Sequence, residues 1–461
     1  MGAGENPTGL GPSDAEAASE CILEEGSLYM PATKIVFIGG GSFHWGPDII
    51  RDLIVTPELG GSTLVLHDTN HEAAETNRVI AELLREKVGA DLRIEVTDER
   101  RAALDGAGYV IVAIATGGLE AWRLDMEIPD KYGVRQTIAD TVGPGGLSRG
   151  LRTIPVVLDI ARDMEQVCPH AWLLNVTNPM TTLTRSVHKE TSVPCIGLCH
   201  EMFHCMEELA PMLGASPEEV HFNGAGINHC AWMLDIKVRG QDGLELLRRY
   251  WMERGYPKDT VAPLLFEIFG YLPIWRGRHL SEFFPHFLTP ESGYGEKYGF
   301  LDQMVTVKDR YASRRRGHER WLKMREGERL PELKLGGEPI APIIAALQGG
   351  EPVTVPVNWP NIGQVANFPM DVVVETKAVV DHRGCSPIAA GPLPAGIHAV
   401  LSRHMENQEL IVEAAVKGDR KPAFQALFND PLINNLENAR AMLDELLKAH
   451  EEHLGQFKAG D

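Results

Sequence analysis

From Lys34 onward the chain alternates between two hydrophobic periods. Short runs of β-branched and other apolar residues occur at KIVFI (34–38), TLVLHD (63–68), YVIVAIA (109–115), WLLNVTNP (172–179) and CIGLCHE (195–201). Such runs, bounded by glycine or polar residues, suit strands buried on both faces. Between the first two, Ile49, Ile50, Leu53 and Ile54 fall on one face of a helical repeat, and residues 70–88 repeat as an amphipathic helix. Strands alternating with helices predict a doubly wound parallel sheet, a Rossmann-type α/β fold. Ligands on such sheets bind at the carboxyl ends of the strands. The residues just after each run are therefore the ones to inspect.

Beyond about residue 200 the texture changes to more loops, several prolines and longer helical patterns. VAPLLFEIFGYLP (261–273) reads as a helix until Gly270 and Pro273. The charged stretch 312–331 reads as a solvated helix, and 405–450 as C-terminal helices packing back on the core. A chain of 461 residues exceeds one ordinary core, so two packed domains are expected. Residues 30–200 form the expected nucleotide-binding domain. Residues 201–461 form a second, mixed α/β domain for substrate, metal and oligomer contacts. Residues 1–29, rich in Gly, Ala, Glu, Ser and Pro without periodicity, read as a mobile tail, and Met30 is a candidate for the natural start.

Composition narrows the function. The formal charge is -20, from 44 basic and 64 acidic residues. That leaves no basic footprint for nucleic acid. It does not exclude an anionic substrate, because a few arginines can reverse the sign inside a cleft. Seven cysteines without framework spacing fit a reducing cytoplasm. No apolar run reaches membrane-spanning length, and the N-terminus lacks the pattern of a secretory signal.

Four groups of residues carry candidate chemistry. IGGGS (38–42) joins the first strand to a helix. Gly39 permits the tight turn, and Gly41 lets the backbone approach a pyrophosphate. His44 stands where the full fingerprint has a third glycine. Asp68 ends the second strand, 27 residues after Gly41, where a carboxylate can hold a ribose hydroxyl and repel a 2′-phosphate. NAD is thereby favoured over NADP, although Asp68 also reads as a helix cap. Cys199 and His200 end a strand, and Asn228 and His229 follow in GINH (226–229). A thiolate and an imidazole can bind a transition metal while leaving positions open for substrate. The same residues also read as a small buried thiol and a satisfied core histidine. Asn178, before a proline at a strand end, can hold a sugar hydroxyl or form a turn. Arg276, Arg278, His279 and Glu282 lie close together in RGRHLSEFFP (276–285), as a carboxylate clamp or a surface ion-pair cluster.

Taken in order, these segments resemble glycoside hydrolase family 4, the NAD- and metal-dependent glycosidases. The resemblance spans about residues 34–450. It rests on IGGGS, DTVGPGGLSRGLRTIPV (140–156), NVTNPM (175–180), GLCHEMF (197–203), GINH, GRHLSEFFP (277–285) and FNDPL (428–432). DTVGPGG, CHE and RHLSEF point to the α-galacturonidase branch. The family's phosphoglycosidases typically carry CD or CN at Cys199-His200, which argues against a phosphorylated substrate. CHE also occurs in α-glucosidases, which keeps that substrate open.

The resemblance implies a lactate/malate dehydrogenase-like fold and a homo-oligomer, a dimer or tetramer. It implies a divalent ion, usually manganese, on Cys199 and His229. His200 would assist the leaving group, and Asn178 and Asn228 would contact the sugar. Gly39, Gly41, Ser42 and Asp68 would hold NAD. Arg278 is the candidate for gripping a uronate carboxylate, and His279 is a further candidate substrate contact. A base proposed in relatives has no match here: Leu264 stands at its place, Glu267 is the nearest carboxylate, and Tyr294 and Tyr298 are other candidates.

The implied reaction oxidises the sugar at C3, removes the acidified C2 proton, expels the aglycone, adds water and returns the hydride. An α-galacturonide is the leading substrate, with α-glucuronides and α-glucosides as alternatives. A hydroxy-acid or sugar dehydrogenase that consumes NAD, and a binding protein without turnover, are the rival classes.

Overall fold

In the computed structural model the described residues are 32–274 and 277–457, so the N-terminal tail, Met30 and Arg276 lie outside them. β1 (Lys34–Ile38), β2 (Thr63–His67), β3 (Arg93–Thr97), β4 (Tyr109–Val112), β5 (Trp172–Asn175) and β6 (Cys195–Gly197) pair in parallel. Their order is β3-β2-β1-β4-β5-β6, the doubly wound Rossmann arrangement. Its ligand crevice opens where the winding reverses, between β1 and β4.

The sheet does not stop at β6. β7 (Val220–Ile227), β8 (Cys230–Val238), β9 (Gln241–Asp242), β10 (Leu272–Pro273), β11 (Val353–Pro360), β12 (Val373–Asp381) and β13 (Gly384–Pro387) extend it as an antiparallel half. The path runs β6-β11-β12-β7-β8-β10, with β9 on β8 and β13 on β12.

Alternation decides which side of the parallel half each residue serves. Val36, Val110 and Leu173 face the helix Gly143–Val167 and the C-terminal helices Ala395–Lys417, Arg420–Asn429 and Leu436–Ala449. Ile35, Phe37, Leu64 and Ile111 face the helices Gly46–Ile54, His71–Val88 and Ile340–Leu347. Each Ile or Leu so buried contributes about 1.5–3 kcal/mol relative to exposure. Helices late in the chain thus cover both faces of the early strands.

Several elements differ from the sequence expectation. β3 was not anticipated, because RIEVT alternates charge with apolar residues at the sheet edge. The 109–115 run leaves the strand after Val112, and the 172–179 run leaves it after Asn175, because both turn into cleft loops. The helix from Val261 ends at Phe269 on the left-handed Gly270 cap, as expected, but Leu272–Pro273 pair with β8, which was not. The charged helix spans Val307–Arg325 and is not merely solvated. Its Trp321 is buried and donates to Asn77 Oδ1 at 2.6 Å, which presses one face onto the glycine loop.

The two halves of the sheet meet through a single backbone pair, Asn358 with Gly197. There is no room there for a side chain: a Cβ on Gly197 would lie 2.5 Å from Thr184 Oγ1 and 2.9 Å from Asn358 Cβ. Gly197→Ala is expected to cost about 1–3 kcal/mol by overpacking. It should also lower activity, because Cys199 lies two residues on. Thermal denaturation beside an activity assay checks this, and an unchanged melting temperature would refute the packing account.

Candidate active site

The loop Gly39–Ser42 is held from three sides. Gly41 N–H donates to Asp68 Oδ2 at 2.9 Å, and Asp68 Oδ1 accepts from Asn70 N–H at 2.8 Å. Asn77 Nδ2 donates to the carbonyls of Gly40 (2.7 Å) and Ser42 (3.0 Å). Ser42 Oγ accepts from Trp45 N–H at 3.1 Å, steering the chain into the helix Gly46–Ile54. A Cβ on Gly39 would lie 2.1 Å from Ala113 O, and one on Gly46 would lie 2.2 Å from Asn77 Nδ2. Gly46 thus meets the close-packing need that the fingerprint assigns to a third glycine, and His44 is left exposed at the crevice. The loop suits a dinucleotide because its three glycines carry no side chains and Asp68, which accepts from Gly41 and Asn70 N–H, stays partly exposed beside it. Arg314 lies 4.7 Å from the Phe43 ring centroid and places a cation over the same loop.

At the other end of the crevice, β7 and β8 are joined by the two-residue turn Asn228–His229. His229 adopts φ 66°, a conformation that favours glycine, and the cost is typical of functional sites. Ala139, with φ 57°, does the same immediately before Asp140. These two bends bring together Asp140, His229 and His279, whose ligand atoms lie within 4.8 Å of one another. The His229 and His279 rings are 3.9 Å apart.

Hydrogen-bond counting fixes the His229 tautomer. Thr141 Oγ1 donates its one proton to Asp140 Oδ1 (2.7 Å), so the 2.7 Å contact to His229 Nδ1 requires Nδ1–H as donor. Nε2 then carries a bare lone pair, the form in which histidine binds metals. Burial, acting with His229, pushes His279 down to about 3 and keeps that ring neutral too. Burial works against the Asp140 charge, but the neighbouring histidines and Arg149 hold it below its usual range. Two neutral imidazoles and a carboxylate fit a divalent cation.

The remaining predicted residues divide. Cys199 is buried at the end of β6 and stands outside the triplet, but Glu201 acts on both Cys199 and His229. Burial, with Glu375 and Glu201 nearby, keeps its thiol protonated until a cation displaces the proton. His200 follows, with Nδ1 2.6 Å from Glu338 Oε1. Asn178 Nδ2 donates to Asp140 Oδ2 at 3.4 Å, and Asn228 Nδ2 donates to Glu375 Oε2 at 3.0 Å. The side-chain oxygens of both asparagines are buried without a partner, as is Arg278 Nε. Arg278 Nη2 lies 3.6 Å from Glu201 Oε1. His279 sits in the triplet, where its ring could serve a cation. Glu282 points away from the cleft and accepts the backbone N–H groups of Thr137, Ile138 and Ala139.

Glu267 is exposed on the helix Val261–Phe269, and no described contact joins it to the cluster. Helical phase explains this, since Leu265 and Phe266 take the buried side. Tyr294 stacks under Arg135 and Tyr298 packs on Phe287, both apart from the triplet. Sequence reasoning missed Asp140, Glu201, Glu338 and Glu375. DTVGPGG and CHE carried a signal for the first two. An Asn-His turn where Asn-Gly is favoured carried one for His229.

Comparisons with known proteins agree in kind. The model described as family 4 glycosyl hydrolase matches residues 34–215, and its C-terminal domain model matches 224–433. An α-galactosidase of Bacillus subtilis (strain 168) is 36% identical over 435 residues, covering 92% of this chain and 100% of that protein. An α-galacturonidase of the same strain is 35% identical over 441 residues, covering 90% and 97%. The 6-phospho-β-glucosidase from Thermotoga maritima, solved with manganese, NAD+ and glucose-6-phosphate, shares the fold. It aligns with a TM-score of 0.77 at 24% identity, over 91% of this chain and 98% of that one. Malate dehydrogenase from Plasmodium falciparum aligns at a TM-score of 0.51 and 13% identity, over 86% and 99%, as the dehydrogenase-like fold anticipates.

Two measurements follow from the geometry. His279→Ala should weaken Mn2+ binding at least about tenfold, read from the free-ion EPR signal. Equal affinities would remove His279 from the shell. The segment that carries Asp140 is latched by Asp430, which accepts Gly143 N–H and Leu432 N–H, both at 3.0 Å. Burial, outweighing those bonds and Arg403, pushes its carboxyl up to about 6. A raised acid contributes stability that is full below its unfolded value and lost as pH rises through the folded one. Between pH 4 and 8 the parent should lose about 3 kcal/mol that Asp430→Asn does not lose. Parallel melting curves with the same pH slope would contradict this.

Proposed function

Because the chain belongs to the family 4 glycosyl hydrolases, we propose that it cleaves α-galacturonides by transient oxidation of the sugar, with NAD and a divalent metal held together in the crevice. The broader activity, hydrolysis of α-glycosides, follows from the family and its α-galactosidase and α-galacturonidase members. The observation that carries the finer reading is the bare Nε2 of His229. It stands with Asp140 and His279, next to Asn178, Asn228 and Arg278, whose side chains carry buried polar atoms without partners.

When bound, NAD would supply a reversible hydride acceptor and the metal a Lewis acid, so that a proton beside the oxidised sugar carbon would become acidic. Gly39, Gly41, Ser42 and Asp68 hold the nucleotide. Asp140, His229 and His279 would hold the metal, with Cys199 as the further candidate ligand. Asn178 and Asn228 present their free side-chain oxygens to sugar hydroxyls. Arg278 offers its guanidinium to the uronate carboxylate, a charge-assisted pairing that a neutral sugar lacks. His200 donates a proton to the departing aglycone oxygen. Water then adds where the aglycone left, and no net NADH accumulates.

No disulfide joins the described cysteines, and no helix among the described residues is long and apolar enough to cross a membrane. A reducing cytoplasm and a homodimer or homotetramer complete the reading.

A panel of nitrophenyl α-galacturonide, α-glucuronide, α-galactoside and α-glucoside is the direct test. Turnover should require NAD and Mn2+ together and be fastest on the galacturonide. Product formed in deuterated water should carry deuterium at C2, and retention of hydrogen there would end the mechanism. Net NADH at 340 nm would identify a dehydrogenase instead. Arg278→Ala should lose about 10–100-fold more kcat/KM on the galacturonide than on the galactoside, the worth of a charged hydrogen bond. Equal losses would take the carboxylate away from Arg278.

A further inference from the structure

Glu338 is distant from His200 in sequence, yet its Oε1 lies 2.6 Å from His200 Nδ1. An exposed histidine-carboxylate pair would carry little meaning. This one is different in three respects. Glu338 is buried, at 9% exposure. Its loop, just before the helix Ile340–Leu347, is fastened two residues upstream, where Gly336 N–H donates to Asp52 Oδ1 at 2.8 Å. Arg51 Nη2 pairs with the same oxygen at 2.8 Å, and a Cβ on Gly336 would lie 2.1 Å from that nitrogen. Arg51 and Asp52 belong to the helix that leaves the glycine loop, so the carboxylate is tied to the nucleotide-binding element.

The imidazole is also hemmed in by rings. Trp45 stands 5.9 Å from it, and His204 4.9 Å away at near right angles. No described hydrogen bond engages His200 Nε2. A carboxylate on Nδ1 fixes both the tautomer and the plane of an imidazole.

We infer that Glu338 is the positioning residue for His200: it takes the Nδ1–H, locks the ring between Trp45 and His204, and so presents Nε2 to the aglycone oxygen. This rests on the reading of His200 as the leaving-group acid. The proton moves from Nε2 of the imidazolium to that oxygen as the C1–O bond breaks, leaving the neutral Nδ1–H ring on Glu338, which keeps its hydrogen bond throughout.

The test compares a good and a poor leaving group on the full-length enzyme with NAD and Mn2+. A 4-nitrophenolate leaves without protonation, whereas a methoxide does not. Glu338→Ala should lower kcat about 10–100-fold on the methyl glycoside and less than about threefold on the nitrophenyl glycoside, with KM nearly unchanged. On the methyl glycoside the C2 deuterium isotope effect should fall toward one, as aglycone departure becomes limiting. Glu338→Gln keeps the size and an acceptor oxygen and should fall between. Adding Glu338→Ala to His200→Ala should cost nothing further. NAD binding and melting temperature show that each variant is folded, and Glu338→Gln carries the comparison if the alanine variant is not. Equal losses on both aglycones, or an additive double variant, would overturn the assignment while leaving the glycosidase reading intact. A parent enzyme without NAD- and Mn2+-dependent turnover would overturn that reading and this role with it.

Discussion

The site depends on how a parallel sheet is made to continue as an antiparallel one. One backbone pair, Asn358 with Gly197, closes the seam, and a buried polar network stands behind it. Glu375 Oε2 accepts from Asn228 Nδ2 at 3.0 Å and Asn358 Nδ2 at 3.3 Å, while Thr181 Oγ1 accepts from Asn228 N–H and donates to Asn358 Oδ1. Burial pushes the Glu375 carboxyl up to about 7. A buried carboxylate is expensive unless its acceptors are used, so the network is stable only when both sheet halves are in register. That register sets Cys199 and His200, at the end of a parallel strand, against Asn228 and His229, at the tip of an antiparallel hairpin.

The same economy shapes the turns. A histidine in a left-handed conformation and an alanine in the same region each cost on the order of 1–3 kcal/mol. One belongs to the triplet and the other immediately precedes Asp140. The strain points two rings and a carboxylate at one spot, and Thr141 sets the proton inventory of the pair beneath. Asp430, at the far end of the chain, holds the segment from below through Gly143. The candidate side chains sit on bent backbone, and the bend before Asp140 is held by Glu282, 143 positions from Ala139, and by Asp430, 287 positions from Gly143.

That separation explains what could be read from the sequence. The Rossmann strands were legible because burial on both faces writes itself as continuous apolar runs. Asp68 and the glycines were legible because turn geometry is local. β3 was not, since an edge strand keeps charges on its open face. Nor were the antiparallel strands, whose prolines and polar residues, such as Pro356 and Lys377, resemble loop composition. Asp140, Glu338 and Asn77 act on partners far along the chain, and no spacing rule connects them. DTVGPGG was visible as a motif, but its role as a metal-side carboxylate needed the fold. The RHLSEF segment was divided correctly only in space: His279 turns to the triplet, while Glu282 turns back to receive three backbone N–H groups.

Charge closes the argument. The chain carries a formal -20, yet Arg149, Arg278 and Arg310 all act on the surroundings of Asp140, and Arg314 sits over the glycine loop. Burial lowers Arg149 and Arg310 from their usual range, a sign that the crevice holds positive charge at some cost. Long-range repulsion from an acidic surface is screened within about 8–10 Å at physiological salt. An anion approaching the crevice therefore meets the local guanidinium groups rather than the net charge. Adding a divalent cation to the triplet would raise the local positive charge further, and dinucleotide phosphates and a sugar carboxylate would lower it. A divalent cation at the triplet and an anionic ligand beside it would each offset the other's charge, so their binding is expected to be coupled.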